Sequence, residues 1–155
     1  MTIVQPEKWG DILPELRELF PFHWQEIALF KDKIQMDIDE PRYAKLEEMG
    51  ALQVITARDG KKLIGYFVAF VLPHMHYKST LMASTDMYFI LPEYRNGTGA
   101  KMFIEMERVL KERGVKKAVT SCKVEHDHTA LLEKLGWQWT DKTFCKYLGD
   151  NESCH

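Results

Sequence analysis

One stretch constrains this chain more than any other: Tyr88-Phe89-Ile90-Leu91-Pro92-Glu93-Tyr94-Arg95-Asn96-Gly97-Thr98-Gly99-Ala100-Lys101-Met102. Its opening residues have strand character. Pro92 lacks a backbone N–H and suits the place where a ladder ends. Two glycines then let the backbone turn tightly and approach a ligand with no Cβ in the way. An amphipathic helix follows, so the turn's amides converge with the positive end of a helix, which is an anion site. Arg95 adds a full charge and a planar donor fork. The letters are neither the G-x-G-x-x-G of a dinucleotide turn nor a phosphate loop ending in Gly-Lys-Ser/Thr.

The flanking chain predicts a mixed α/β (α+β) domain. Ile3-Val4 reads as a short first strand. Apolar residues at 9, 12, 13, 16, 19 and 20 have helical spacing, Pro21 interrupts them, and residues 23–30 read as a second short helix. Asp39-Glu40-Pro41 is placed to cap a further helix over 42–49, with Gly50 as its stop. Residues 52–58 and 63–72 read as strands joined at Asp59-Gly60, a strong hairpin signal. The second is nearly continuous in apolar character and is expected to be central. Residues 80–91 complete an antiparallel meander. After the glycine turn, Met102, Phe103, Met106, Val109 and Leu110 share one helix face, and Gly114 ends it. A strand over 115–122 makes a parallel strand–helix–strand unit. A short helix over 129–135 and closing strands over 137–139 and 143–148 follow. The result is one domain over 1–148 with about six to seven strands and four flanking helices, and a polar tail over 149–155.

Arg95-Asn96-Gly97-Thr98-Gly99-Ala100, led in by Pro92-Glu93-Tyr94, resembles the R/Q-x-x-G-x-G/A signature of the GNAT (Gcn5-related) N-acetyltransferase family. Glu133-Lys134-Leu135-Gly136-Trp137, roughly forty residues on, resembles that family's Y-E-K-L-G-F segment. The order of elements matches the GNAT order over nearly the whole chain. His23-Trp24-Gln25-Glu26-Ile27, His74-Met75-His76-Tyr77 and Thr85-Asp86-Met87-Tyr88 are similar to segments of small GNAT proteins encoded by tailed bacteriophages. The resemblance implies a central parallel pair of strands that splays, acetyl-CoA as co-substrate and a primary amine as acceptor. It implies that residues Arg95, Asn96, Gly97, Thr98, Gly99 and Ala100 hold the coenzyme A pyrophosphate. It also implies that the backbone of Phe89, Ile90 and Leu91 meets the pantetheine arm.

The implied chemistry needs a neutral amine. An amine with a pKa of about 10.4 costs roughly 4.6 kcal/mol to neutralise at pH 7, which a general base offsets. Asp86, near the start of the strand before the turn, is the first candidate, and Glu26 the second. The family tyrosine that protonates the leaving thiolate stands where this chain has Leu132, and Glu125 replaces a common asparagine. Tyr147, Tyr88 or His126 is then the donor, or the thiolate leaves without one. His74-x-His76 and His126-x-His128 have strand-like pair spacing, but no cysteine or carboxylate joins them at ligand spacing, so no metal is expected. His74, His76 and Trp24 are candidates for the acceptor cleft, with exposed loop and core roles as their plainer readings. A binding protein of the same fold, or an acyl-CoA sensor, stands beside the enzyme reading.

Charge and composition narrow the partners. A net charge of −2 argues against broad nucleic-acid binding. No apolar run approaches membrane-spanning length. Met1 to Glu7 has no leader character. The three cysteines lack metal spacing, as expected of free thiols in a cytoplasm. A monomer or homodimer is expected.

Overall fold

The computed structural model describes residues 1–150. Five strands form one sheet in sequence order: β1 (Thr2–Pro6), β2 (Leu52–Asp59), β3 (Lys62–His74), β4 (Tyr77–Ile90) and β5 (Lys117–Val119). The first four pair antiparallel, and β4 and β5 pair parallel. The four helices are α1 (Trp9–Ile27), α2 (Glu40–Glu48), α3 (Thr98–Glu112) and α4 (Thr129–Lys134). This is, in outline, the mixed α/β architecture that the resemblance implies. The expected hairpin at Asp59-Gly60 forms, and Gly60 takes the positive φ of 60° that such a turn requires. The expected cap of α2 also forms, with Arg42 N donating to Asp39 Oδ1 at 3.1 Å.

Two expectations need correction. Residues 9–20 and 23–30 are not separate helices, because α1 runs unbroken through Pro14 and Pro21. Both prolines sit on its exposed side. The backbone bonds they remove therefore face water, while Ile12, Leu16, Leu19, Phe20 and His23 keep one continuous buried stripe. The sheet also has five strands rather than six to seven, since residues 137–139 and 143–148 form no strand. A strand needs a ladder partner, and β5 offers only three residues. Phe144 and Leu148 are left 89% and 84% exposed. The expected tail falls almost wholly outside the described residues, and Cys154 with it.

Each face of the sheet has its own core. On one, Met102, Phe103, Met106 and Leu110 of α3 pack on Ile55, Phe67 and Ile90, with Leu131 and Leu132 of α4 against them. On the other, Trp9, Ile12 and Leu16 of α1 pack on Val54, Tyr66, Val68 and Phe89, with Tyr43 of α2 at the margin. Among the described residues, no helix is long and apolar enough to cross a membrane.

Two irregularities position the site. Strand β5 pairs with β4 only from Met82 to Ser84. Beyond that point β4 runs on to Ile90 with its β5-side edge open. In addition, the β3–β4 register shifts so that Val68 faces Met87 and Ala69 faces Thr85. Asp86 is thus the extra residue of a β-bulge. Such bulges re-aim a side chain. Here Ala83 belongs to the α3-side core, whereas Phe89 belongs to the α1-side core. Asp86 stands where the alternation switches.

Candidate active site

A groove of about 610 Å³ follows the open edge of β4. The end of α1, the second half of β4, the turn into α3 and the segment between β5 and α4 line it. Sequence reasoning assigned Glu26, Asp86, Phe89, Ile90, Arg95, Gly97, Gly99 and Ala100 to a site, and all eight line this groove. Leu91, Asn96 and Thr98 adjoin it in sequence but are not part of its wall. Trp24, His74, His76 and Tyr147 also lie outside the wall. His74 and His76 pack on Tyr77 at the β3–β4 hairpin. Tyr147 packs on Phe30, with the Lys33 ammonium 4.6 Å from its ring centre.

The turn has the geometry of an anion cradle. Gly97 takes φ +84° as the N-cap of α3 and offers no side chain to cap it. The first turn of α3 carries no acidic residue. Its leading amides have no partner within the helix, and they meet the dipole's positive end. Gly99 is required for a different reason. A Cβ there would sit 2.5 Å from the Tyr88 hydroxyl oxygen and 3.4 Å from Leu131 Cδ2.

Arg95 is already well bound. Its Nε donates to the Ile90 carbonyl at 2.8 Å, and its Nη2 donates to both Glu26 carboxylate oxygens at 2.7 and 2.6 Å. His126 Nδ1 lies 3.5 Å from the same carboxylate. Glu26 thereby ties α1 to the glycine turn across the groove. Asp86 is open to solvent, yet neighbouring protein crowds it enough that desolvation raises its pKa. The hydroxyl of Tyr43 donates to Asp86 Oδ2 and opposes that rise. Tyr43 is itself stacked on Trp9, with ring centres 4.2 Å apart. Burial lifts the Tyr88 hydroxyl to about 12, so at pH 7 it remains a donor.

His23 also lines the groove and was not foreseen as a site residue. The available signal was its place on the apolar stripe of α1, where it is the one ionisable side chain among buried Trp9, Ile12, Leu16, Leu19 and Phe20. Burial drives its pKa down to about 4. The Glu26 carboxylate works against that fall, while Arg95 and Lys123 add to it. No three His, Cys, Asp or Glu side chains converge as metal ligands among the described residues.

The profile described as the Acetyltransferase (GNAT) family matches residues 9–137. The chain belongs to the GNAT acetyltransferase family. An aminoglycoside acetyltransferase from an uncultured soil metagenomic sample, solved with sisomicin, shares 14% identity at TM-score 0.70, covering 97% of each chain. A ribosomal-protein-alanine N-acetyltransferase from Brucella melitensis shares 16% identity at TM-score 0.69, covering 96% of this GNAT chain and 100% of that one. AAC(6')-Iy, solved with the bisubstrate analogue CoA-S-monomethyl-acetylneamine, shares 13% at TM-score 0.69, covering 97% and 99%. At these identities the likeness speaks for the GNAT fold alone. A search of curated protein sequences finds no match.

Proposed function

We propose that this GNAT protein transfers an acetyl group from acetyl-CoA to a primary amine by direct attack within a ternary complex. One observation carries the reading. The uncapped amide turn at Gly97, the unpaired edge of β4 and the carboxylate of Asp86 open onto the same groove. The amides of residues 97–100 hold the pyrophosphate, and the pantetheine arm runs along the β4 backbone at Phe89 and Ile90, on the edge that β5 leaves unpaired. The presence of a CoA-linked analogue in a protein of the same fold supports that choice of co-substrate.

In the reaction, the amine nitrogen attacks the thioester carbonyl carbon and the new C–N bond forms. The C–S bond breaks and the thiolate departs. Asp86 takes the proton of the incoming ammonium, directly or through a water. Desolvation raises its pKa, which makes it a better proton acceptor than an ordinary aspartate. Leu132 packs against the α3-side core and offers no proton, so the thiolate takes one from Tyr88 or His126, both of which line the groove, and the proton shed by the new amide nitrogen as the C–S bond breaks restores that donor. The acceptor is a small-molecule amine or a protein lysine or N-terminus.

A thiol-release assay with acetyl-CoA and a panel of amines tests the reading. Release that depends on the amine supports it. Tight binding of acetyl-CoA with no release on any amine would instead mark an acyl-CoA sensor. Failure to bind acetyl-CoA would leave only a scaffold.

A further inference from the structure

His23 does more than fill space between α1 and the sheet. Its ring lies nearly parallel to that of Phe89, with centroids 4.9 Å apart and planes 21° apart. Its Nδ1 is 2.7 Å from the hydroxyl of Tyr66, a residue with no solvent exposure. That hydroxyl has no other hydrogen-bond partner among the described residues. A buried O–H must find an acceptor, and Nδ1 is the acceptor within reach. Nδ1 is therefore the bare nitrogen, and the single ring proton of a neutral imidazole sits on Nε2. In the reverse tautomer Nδ1–H would donate to the hydroxyl oxygen, and the buried hydroxyl hydrogen would be left with no acceptor.

Nε2 has no protein partner, yet it is not sealed. The buried, unpartnered side-chain nitrogens among the described residues are Trp9 Nε1 and His128 Nε2. His23 keeps 6% of its surface and lines the groove. Its N–H is thus a fixed donor beside Phe89, on the stretch of β4 that the co-substrate follows in the acetyltransferase reading.

We infer that His23 donates its Nε2–H to the carbonyl oxygen of the bound acetyl thioester, and that Tyr66 fixes the tautomer that makes this possible. The inference rests on the acetyltransferase reading above. As the amine adds to the carbonyl carbon, the C=O π pair moves onto oxygen and the Nε2–H bond to that oxygen shortens. When the C–S bond breaks the pair returns, and the thiolate carries away the sulfur electrons. His23 gains and loses no proton; Asp86 takes the ammonium proton. A preorganised neutral donor of this kind is strongest where charge develops. Burial together with Arg95 and Lys123 keeps the imidazole uncharged against the pull of Glu26.

The test uses the full chain and [1-13C]acetyl-CoA. Calorimetry first establishes binding. Isotope-edited infrared spectra then report the bound thioester C=O stretch. The expected result is a wild-type stretch below that of free acetyl-CoA. It moves back toward the free value in His23→Phe and stays low in His23→Gln, whose amide replaces the donor. With hydroxylamine as the probe nucleophile, His23→Phe should lower kcat by about a hundredfold, a larger change than the one it makes in acetyl-CoA affinity. An unshifted stretch in His23→Phe would overturn the inference while leaving the acetyltransferase reading in place. Absence of binding in the wild type would remove both. Should His23→Phe fail to fold, 15N spectra of the wild type still decide. Protonation at Nε2 is expected from pH 5.5 to 8, and protonation at Nδ1 overturns the inference.

Discussion

His23 makes the protein sensitive to acid by a calculable amount. The folded chain refuses a proton on His23 until the pH falls to about 4, whereas an unfolded histidine accepts one near 6.5. Between those values the unfolded state binds more protons than the folded one. Stability therefore rises with pH through the window: it is fully present above 6.5 and is lost as pH falls toward 4. At about 1.4 kcal/mol per pH unit the whole window is worth roughly 3 kcal/mol. Roughly 2.5 kcal/mol of that is gone at pH 4.5. The residue is buried, so solvent screening takes little from this figure. The assay is urea denaturation of wild type and His23→Gln at pH 7.5 and pH 4.5. Gln cannot charge, so between the two pH values the wild type should lose roughly 2.5 kcal/mol more than the variant. Titrations elsewhere, such as His128 and Glu7, cancel in the difference. Parallel pH dependence in the two proteins would show that His23 titrates normally in the fold, and the packing described for it would be wrong.

Three further outcomes are expected. Asp86→Asn should cut turnover about a hundredfold or more without changing acetyl-CoA affinity; a wild-type rate would remove Asp86 as the base. Tyr43→Phe removes the hydrogen bond that holds the Asp86 pKa down, so the acid limb of the kcat profile should move to higher pH; an unmoved limb would assign it to another group. Gly99→Ala drives a methyl into the Tyr88 hydroxyl and should cost roughly 1–3 kcal/mol. Tyr88→Phe in the same chain should recover most of that loss in a denaturation cycle, and additive effects would place the clash elsewhere.

Much of the fold was legible because local signals agreed with one another. The Asp59-Gly60 turn, the Asp39 cap and the α3 stripe of Met102, Phe103, Met106, Val109 and Leu110 each appear where the residues pointed. Pro21 misled, because a proline is tolerated on the wet side of a helix whose other side is well buried, and that burial is a tertiary fact. The closing strands misled for a related reason. The strand expected over residues 143–148 was a reading of local composition, whereas a ladder needs a neighbour long enough to pair with. The groove's wall was read well where the chain itself carries it, in the strand and glycine turn. It was read poorly where distant segments converge. The bulge that aims Asp86 arises from a register shift against β3. The Glu26–Arg95 pair spans 69 residues. His23 acquires its meaning from Tyr66 on another strand, and no local spacing encodes that contact.

The most direct measurement is a calorimetric titration of acetyl-CoA into wild type and Gly97→Asp. Nothing lies within 4 Å of the position a Cβ would take at Gly97, and aspartate is one of the residues that enters the left-handed region at a cost of roughly 1 kcal/mol. The variant should therefore stay folded by circular dichroism while placing a carboxylate where the diphosphate must sit. Single-site binding in the wild type and its loss in folded Gly97→Asp is the predicted result. Equal affinity in the two proteins would contradict the assignment of the turn.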